Sequence, residues 1–183
     1  MFDVAIIGAG VVGVLTAREL TRYKLSVCLL EKENDVAMGA SKANSGIIHG
    51  GFDPEPGTLK AKLNAKGVPL LYKAAGELNV PCKNNGSMVL AFGKEEDAVI
   101  DELYARGIKN GIKGMDILSG TEARRLESNL SDKVTKALLV TNAGIICPYA
   151  LTIAAAGNAM DNGAELRTNY EVTAIVRAED GFR

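Results

Sequence analysis

Residues 2–32 read FDVAIIGAGVVGVLTARELTRYKLSVCLLEK, and this stretch decides the fold. Val4 to Ile7 form an apolar run that halts at Gly8-Ala9-Gly10, where a buried parallel strand hands over to a helix. Gly8, Gly10 and Gly13 spell G-x-G-x-x-G. Gly8 allows the tight turn, Gly10 lets a diphosphate approach bare backbone, and Gly13 lets the helix sit close to the sheet. Gly10, Gly13, Val14, Ala17 and Leu20 then recur at helical spacing on one small-residue face, with Arg18 and Arg22 pointing elsewhere. A second apolar strand, Leu25 to Leu30, ends on Glu31. Strand, glycine turn, helix, strand and terminal acid together specify a dinucleotide-binding βαβ unit. In it the helix N-terminus holds phosphates and Glu31 accepts from a ribose 2′-hydroxyl. The competing structural explanation is a glycine-rich turn with an exposed glutamate.

The rest of the composition narrows the class. A chain of 183 residues can bury roughly 70% of its unfolded surface, enough for one core and a small annex. A net charge of −1 gives no electrostatic footprint for nucleic acid or an anionic membrane. Asp3 stands where a signal peptide needs a basic region, and no apolar run reaches the length of a membrane span. Cys28, Cys82 and Cys147 are far apart in apolar contexts, without a C-x-x-C pair or any metal-ligand spacing. They read as core thiols of a reduced, cytoplasmic protein.

Residues 33–57 are rich in Gly, Ser, Asn and Ala. Gly39, Gly46, Gly50 and Gly51 crowded into so short a space suggest backbone laid against something flat or phosphorylated. Ser41, Asn44 and Ser45 either present polar groups to a ligand or cap their own turns. His49, the one histidine, is either a satisfied structural residue or an acid–base group. From Thr58 the spacing predicts a helical region burying Leu59, Leu63, Leu70, Leu71 and Leu78, kinked or split near Lys66 to Val68 by Pro69.

Beyond residue 78 the pattern changes. Asn84-Asn85-Gly86 between Val80–Lys83 and Ser87–Phe92 predicts a hairpin. A helix follows from Glu95 to Lys109, then a capping box at Ser119-Gly120-Thr121-Glu122 and a strand at Ala137–Val140. Residues 79–143 therefore read as an α+β insertion, with residues 1–78 and 144–183 forming the nucleotide-binding domain. In the latter part Gly144–Ile146 is a strand, Pro148 opens a helix to Asp161 that Asn162-Gly163 stops, and Glu165–Arg167 and Tyr170–Arg177 are strands. Glu179-Asp180-Gly181 is a turn with no returning strand, which suggests a piece of a longer polypeptide.

Taken in order, the fingerprint with Glu31, GASKANSGIIHGG, GSMVLAF, TNAGIICPYAL and NYEVTAIVRAEDG resemble the FAD-dependent oxidoreductases of the D-amino-acid oxidase superfamily. Within it they look most like glycerol-3-phosphate and L-2-hydroxyglutarate dehydrogenases. The resemblance runs from residue 2 to 183 and implies a Rossmann-like FAD-binding domain carrying an inserted, incomplete substrate domain. It implies Gly8, Gly10 and Gly13 at the FAD diphosphate, Glu31 at the ribose, and Lys32 beside the adenine. Ser41, Asn44, Ser45 and Gly46 would lie along the diphosphate, ribityl and flavin, with the Val172 main chain at the adenine. His49 would face the flavin as the candidate base. The implied reaction is oxidation of a CH–OH carbon in a small anionic substrate; the electron acceptor is not implied. The family's second half lies outside these residues, so the remainder of its own chain is an expected partner and the piece alone is expected to be inactive. One alternative is an amine or amino-acid oxidase of the same fold. Another is a dinucleotide-binding module without catalysis.

Overall fold

A computed structural model describes residues 1–183. In chain order the elements are β1 (Val4–Ile7), α1 (Val11–Leu20), β2 (Val27–Leu30), β3 (Ile47–Ile48), α2 (Leu59–Glu77), β4 (Cys82–Lys83) and β5 (Ser87–Ala91). There follow α3 (Lys94–Lys109), β6 (Met115–Ser119), α4 (Gly120–Leu126), β7 (Lys136–Val140), β8 (Gly144–Ile146), α5 (Pro148–Asp161), β9 (Glu165–Arg167), β10 (Arg177–Ala178) and β11 (Gly181–Phe182). Packing divides the chain into two units. One comprises Met1–Ser45, Leu78–Val80 and Cys147–Arg183, and the other Gly46–Glu77 and Pro81–Ile146. The packing break thus falls after Ser45, so residues 46–77 pack with the second unit.

The first unit is a parallel sheet in the order β1-β2-β9, with Val4 opposite Val27 and Cys28 opposite Glu165. Its core joins Val14 and Ala17 of α1, Val27 and Leu29 of β2, and Ala155, Ala156 and Ala159 of α5. Alanines at these positions let the two helices approach closely without the rotamer entropy that larger side chains lose. The predicted start and stop of α5 are both present. Pro148 occupies the first turn and Gly163 takes φ +96°. Gly163 N–H then donates to Met160 O at 2.9 Å and Ala164 N–H to Ala159 O at 3.0 Å, the paired bonds of a Schellman ending.

Two expectations fail in this unit. Tyr170–Arg177 is not a strand along its length: residues 170–176 are irregular, only Val176 exchanging main-chain bonds with Arg183 beside β10, and Ile175 and Val176 stand exposed. The closing turn does have a returning strand, since β10 and β11 pair antiparallel with Arg177 opposite Phe182. The cysteines differ too. Cys28 is buried in β2, Cys82 is half-buried, and Cys147 is exposed, its sulfur accepting from Ala150 N–H as the cap of α5.

The second unit holds two antiparallel sheets, β3-β8-β4 and β5-β7-β6, over a core of Phe52, Ile100, Ile112, Met115, Leu138 and Val140. The capping box on α4 is complete: Glu122 N–H donates to Ser119 Oγ, and Ser119 N–H to Glu122 Oε2. Asn84-Asn85-Gly86 does not close a hairpin. β4 pairs with β8 and β5 with β7, so the Asn-Gly turn carries the chain from one sheet to the next. The helix around Pro69 is also unbroken, running as α2 from Leu59 to Glu77. It buries Ala61, Val68 and Ala75 and leaves Leu59, Leu63 and Leu70 exposed; of the predicted leucines only Leu71 and Leu78 are half-buried, Leu78 just beyond the helix. No helix is long and apolar enough to cross a membrane.

Candidate functional site

The turn after β1 is where sequence and geometry meet most closely. Gly8 adopts φ +97°, a conformation that disfavours any side chain, and its N–H donates to Leu30 O at 2.8 Å, continuing the β1–β2 ladder by one bond. A Cβ built on Gly13 would stand 2.0 Å from Gly8 O, so the first turn of α1 is in backbone contact with the glycine turn. Gly10 is the residue before α1, and Gly10 O accepts from Val14 N–H at 3.0 Å as the first helical bond. That leaves the opening N–H groups of the helix to be satisfied from outside it. Ser41 Oγ takes one, accepting from Val11 N–H at 2.9 Å. The N–H groups of Val12 and Gly13 have no acceptor in the protein and sit at the positive end of the helix dipole.

Glu31 is the charged group of this cluster. It is only 8% exposed, which removes the reading of an exposed glutamate after a plain turn. Its Oε2 accepts from Ala9 N–H at 2.7 Å and its Oε1 from Glu33 N–H at 3.0 Å. The carboxylate is therefore a strut between the end of β2 and the middle of the glycine turn. Each oxygen still has acceptor capacity for a further donor, because a carboxylate offers about four lone-pair sites. Ala37 completes the enclosure: its N–H donates to Ala9 O at 3.1 Å from a left-handed φ of +61°. Such a conformation costs an alanine about 1 kcal/mol. Nothing in the sequence signals it, since neither glycine nor asparagine marks the position.

The structure thus gathers Gly8, Gly10, Gly13, Glu31 and Ser41 into one cluster. The other predicted residues lie as follows. Lys32 is exposed, with its ammonium 3.8 Å from Glu33. Asn44 donates to Ala40 O at 3.0 Å across its own turn, and Ser45 is exposed. Val172 is half-buried in the irregular stretch after β9. Tyr170 N–H, two residues earlier, donates to Glu31 O at 2.8 Å and ties that stretch to the end of β2. Gly46 and His49 belong to the second unit. Gly46 takes φ +65° and accepts from Ile146 N–H at 2.9 Å. His49 follows β3 directly, with its side chain exposed.

Comparison with known proteins agrees with this geometry. The family described as FAD dependent oxidoreductase matches residues 3–183. Over all 183 residues the chain is 49% identical to a glycerol 3-phosphate dehydrogenase of Caloramator mitchellensis, spanning 38% of that protein. It is 37% identical over 174 residues, 94% of the chain, to a mitochondrial L-2-hydroxyglutarate dehydrogenase of Nematostella vectensis, again 38% of that protein. Among solved structures, a dithionite-reduced L-alpha-glycerophosphate oxidase of Mycoplasma pneumoniae with FAD bound superposes with a TM-score of 0.94 at 36% identity. That match covers 99% of this chain and 48% of the oxidase.

Proposed function

The chain belongs to the family of FAD dependent oxidoreductases, and on that basis we propose that the full-length protein oxidises the CH–OH carbon of a small anionic substrate. Glycerol 3-phosphate is the first candidate and a 2-hydroxy acid such as L-2-hydroxyglutarate the second. The observation that carries the proposal is the contact between α1 and the glycine turn, clamped by Glu31. It presents free N–H groups, a helix dipole and a buried carboxylate to one ligand with both a diphosphate and a sugar. FAD fits these requirements. Gly8, Gly10, Gly13 and Ser41 hold its diphosphate, and Glu31, still bound to Ala9 N–H, accepts from the ribose. Lys32 and the Val172 main chain border the adenine, and Asn44, Ser45 and Gly46 follow the cofactor toward the flavin. Residues 1–78 and 144–183 supply the nucleotide side, and 79–143 part of the substrate side.

Bound FAD supplies the hydride acceptor for the alcohol carbon. The protein's part is to orient the substrate and to remove the hydroxyl proton as the C–H bond breaks. We assign that proton to an imidazole nitrogen of His49. The test is direct. The full-length protein purifies with flavin absorbance, and under anaerobic conditions glycerol 3-phosphate or L-2-hydroxyglutarate bleaches it. Bleaching by an amino acid alone would move the reading to the amine-oxidising members of the fold, and colourless protein that gains no flavin on reconstitution would overturn it.

Glu31→Gln provides a graded check. A carboxamide keeps one acceptor oxygen but carries no charge, so the strut to the Ala9 and Glu33 N–H groups weakens in the free protein, and the charge-assisted bond to the ribose hydroxyl, made only in the complex, is lost. Such a bond contributes about 1.5–3 kcal/mol. We expect FAD to bind about tenfold to a hundredfold more weakly by fluorescence titration. The unfolding midpoint should also fall in the flavin-free protein. Unchanged flavin affinity would contradict the assignment.

A further inference from the structure

The proposed role of His49 raises the question of what holds that residue in place. The β3–β8 ladder pairs Ile47 with Ile145 and Ile48 with Gly144, and there it stops. Continued by two steps, the same register would set Gly50 opposite Asn142. At that position a side chain replaces the missing main-chain bond: Asn142 Nδ2 donates to Gly50 O at 3.1 Å. His49 is therefore fixed from both sides, by the last ladder pair before it and by the Asn142 carboxamide after it.

Three further observations show that this tie is built. Gly50 has no room for a side chain, since a Cβ there would lie 2.3 Å from Val140 Cγ1 and 2.7 Å from Asn142 Oδ1. The Asn142 main chain is anchored in turn: Tyr72 donates its phenol hydrogen to Asn142 O at 3.3 Å. Asn84, with its amide nitrogen turned toward the neighbouring carbonyls, donates to Thr141 O at 2.7 Å and Ala143 O at 2.8 Å. Finally, Asn142 Oδ1 is buried without a donor. An unsatisfied buried acceptor is unfavourable, and an apolar residue of similar size would avoid it. What the asparagine supplies in exchange is the Nδ2 bond to the loop.

We infer that Asn142 is a positioning residue that sets the orientation of His49 by holding Gly50 O. The inference rests on the proposed role of His49 as base. Misplacing a reacting group by about 1 Å can lower a rate on the order of a hundredfold. In the full-length protein, Asn142→Ala and the isosteric Asn142→Asp, which cannot donate, are expected to lower kcat about tenfold to a hundredfold. KM should stay within about threefold, with anaerobic reduction measured per bound flavin. In a His49→Ala background, adding Asn142→Ala should lower the rate no further than about twofold, because the group being positioned is gone. A wild-type kcat in either Asn142 variant, an additive fall in the double variant, or loss of flavin from both single variants would overturn the inference while leaving His49 as base. A wild-type rate in His49→Ala would instead overturn the role of His49 itself.

Discussion

Gly13→Ala strips the full-length protein of bound flavin and lowers its unfolding midpoint, whereas Gly157→Ala does neither. The two glycines lie in α1 and α5 of the same unit, and they differ in what a methyl group would meet. At Gly13 it would lie 2.0 Å from Gly8 O and 3.1 Å from Gly8 C, main-chain atoms that cannot rotate away, with Ile6 Cγ2 next at 3.4 Å. At Gly157 nothing lies within 4 Å. Since Gly13 is within α1, its conformation suits alanine, and the whole penalty is steric. Relief requires α1 to retreat from the turn, which disturbs the contacts of Val14 and Ala17 and moves the Val12 and Gly13 N–H groups off their target. Overpacking of this kind costs about 1–3 kcal/mol. Losing the aim of two N–H donors to a charged diphosphate weakens FAD by about 3 kcal/mol or more, on the order of a hundredfold. Thermal unfolding and flavin content of the two variants check it; equal behaviour would mean that the close approach of helix and turn is not what holds the nucleotide.

The same contact explains why this part of the fold could be read from the chain. A backbone-to-backbone approach tolerates only glycine, so its spacing is written in Gly8 and Gly13. The ends of α3 and α5 were legible for a similar reason, Gly111 and Gly163 both taking left-handed φ. What depends on a partner was not legible. Asn84-Asn85-Gly86 has the composition of a hairpin, but the five-residue β7 offers β5 a longer ladder than the two-residue β4 could. In α2 the large leucines suggested a buried stripe, yet the residues the helix buries are Ala61, Val68 and Ala75, which no periodicity of large side chains marks. At the site, the sequence marked Glu31 as the acid that ends β2, the place from which a ribose contact is proposed, but not as a strut to Ala9. A strut of that kind depends on the separation of two strand ends, which no local pattern encodes.

His49→Ala in the full-length protein slows flavin reduction by about 10²- to 10⁴-fold, the usual contribution of a positioned general base. Flavin content and unfolding midpoint should stay near those of the parent. A histidine that bonds within the fold would show partners for its ring nitrogens, and the proposal for His49 starts from their absence. The side chain is exposed and makes no hydrogen bond or ion pair within the chain, so its removal should alter stability by no more than about 0.5 kcal/mol. The backbone around it, by contrast, is held firmly: the β3–β8 ladder ends at Ile48, Asn142 grips Gly50 O, and Asn110 Nδ2 donates to Gly51 O at 3.2 Å and Pro54 O at 2.8 Å. A rigid mount under an unbonded imidazole is the arrangement that proton transfer needs, because aim comes from the main chain and the ring nitrogens stay free for substrate. Rapid-mixing reduction with saturating substrate measures the loss. Added imidazole should restore part of the rate in His49→Ala and leave the parent unaffected, since a small diffusible base can enter the space the ring vacated. Reduction of the variant at the parent rate would show that another group takes the proton.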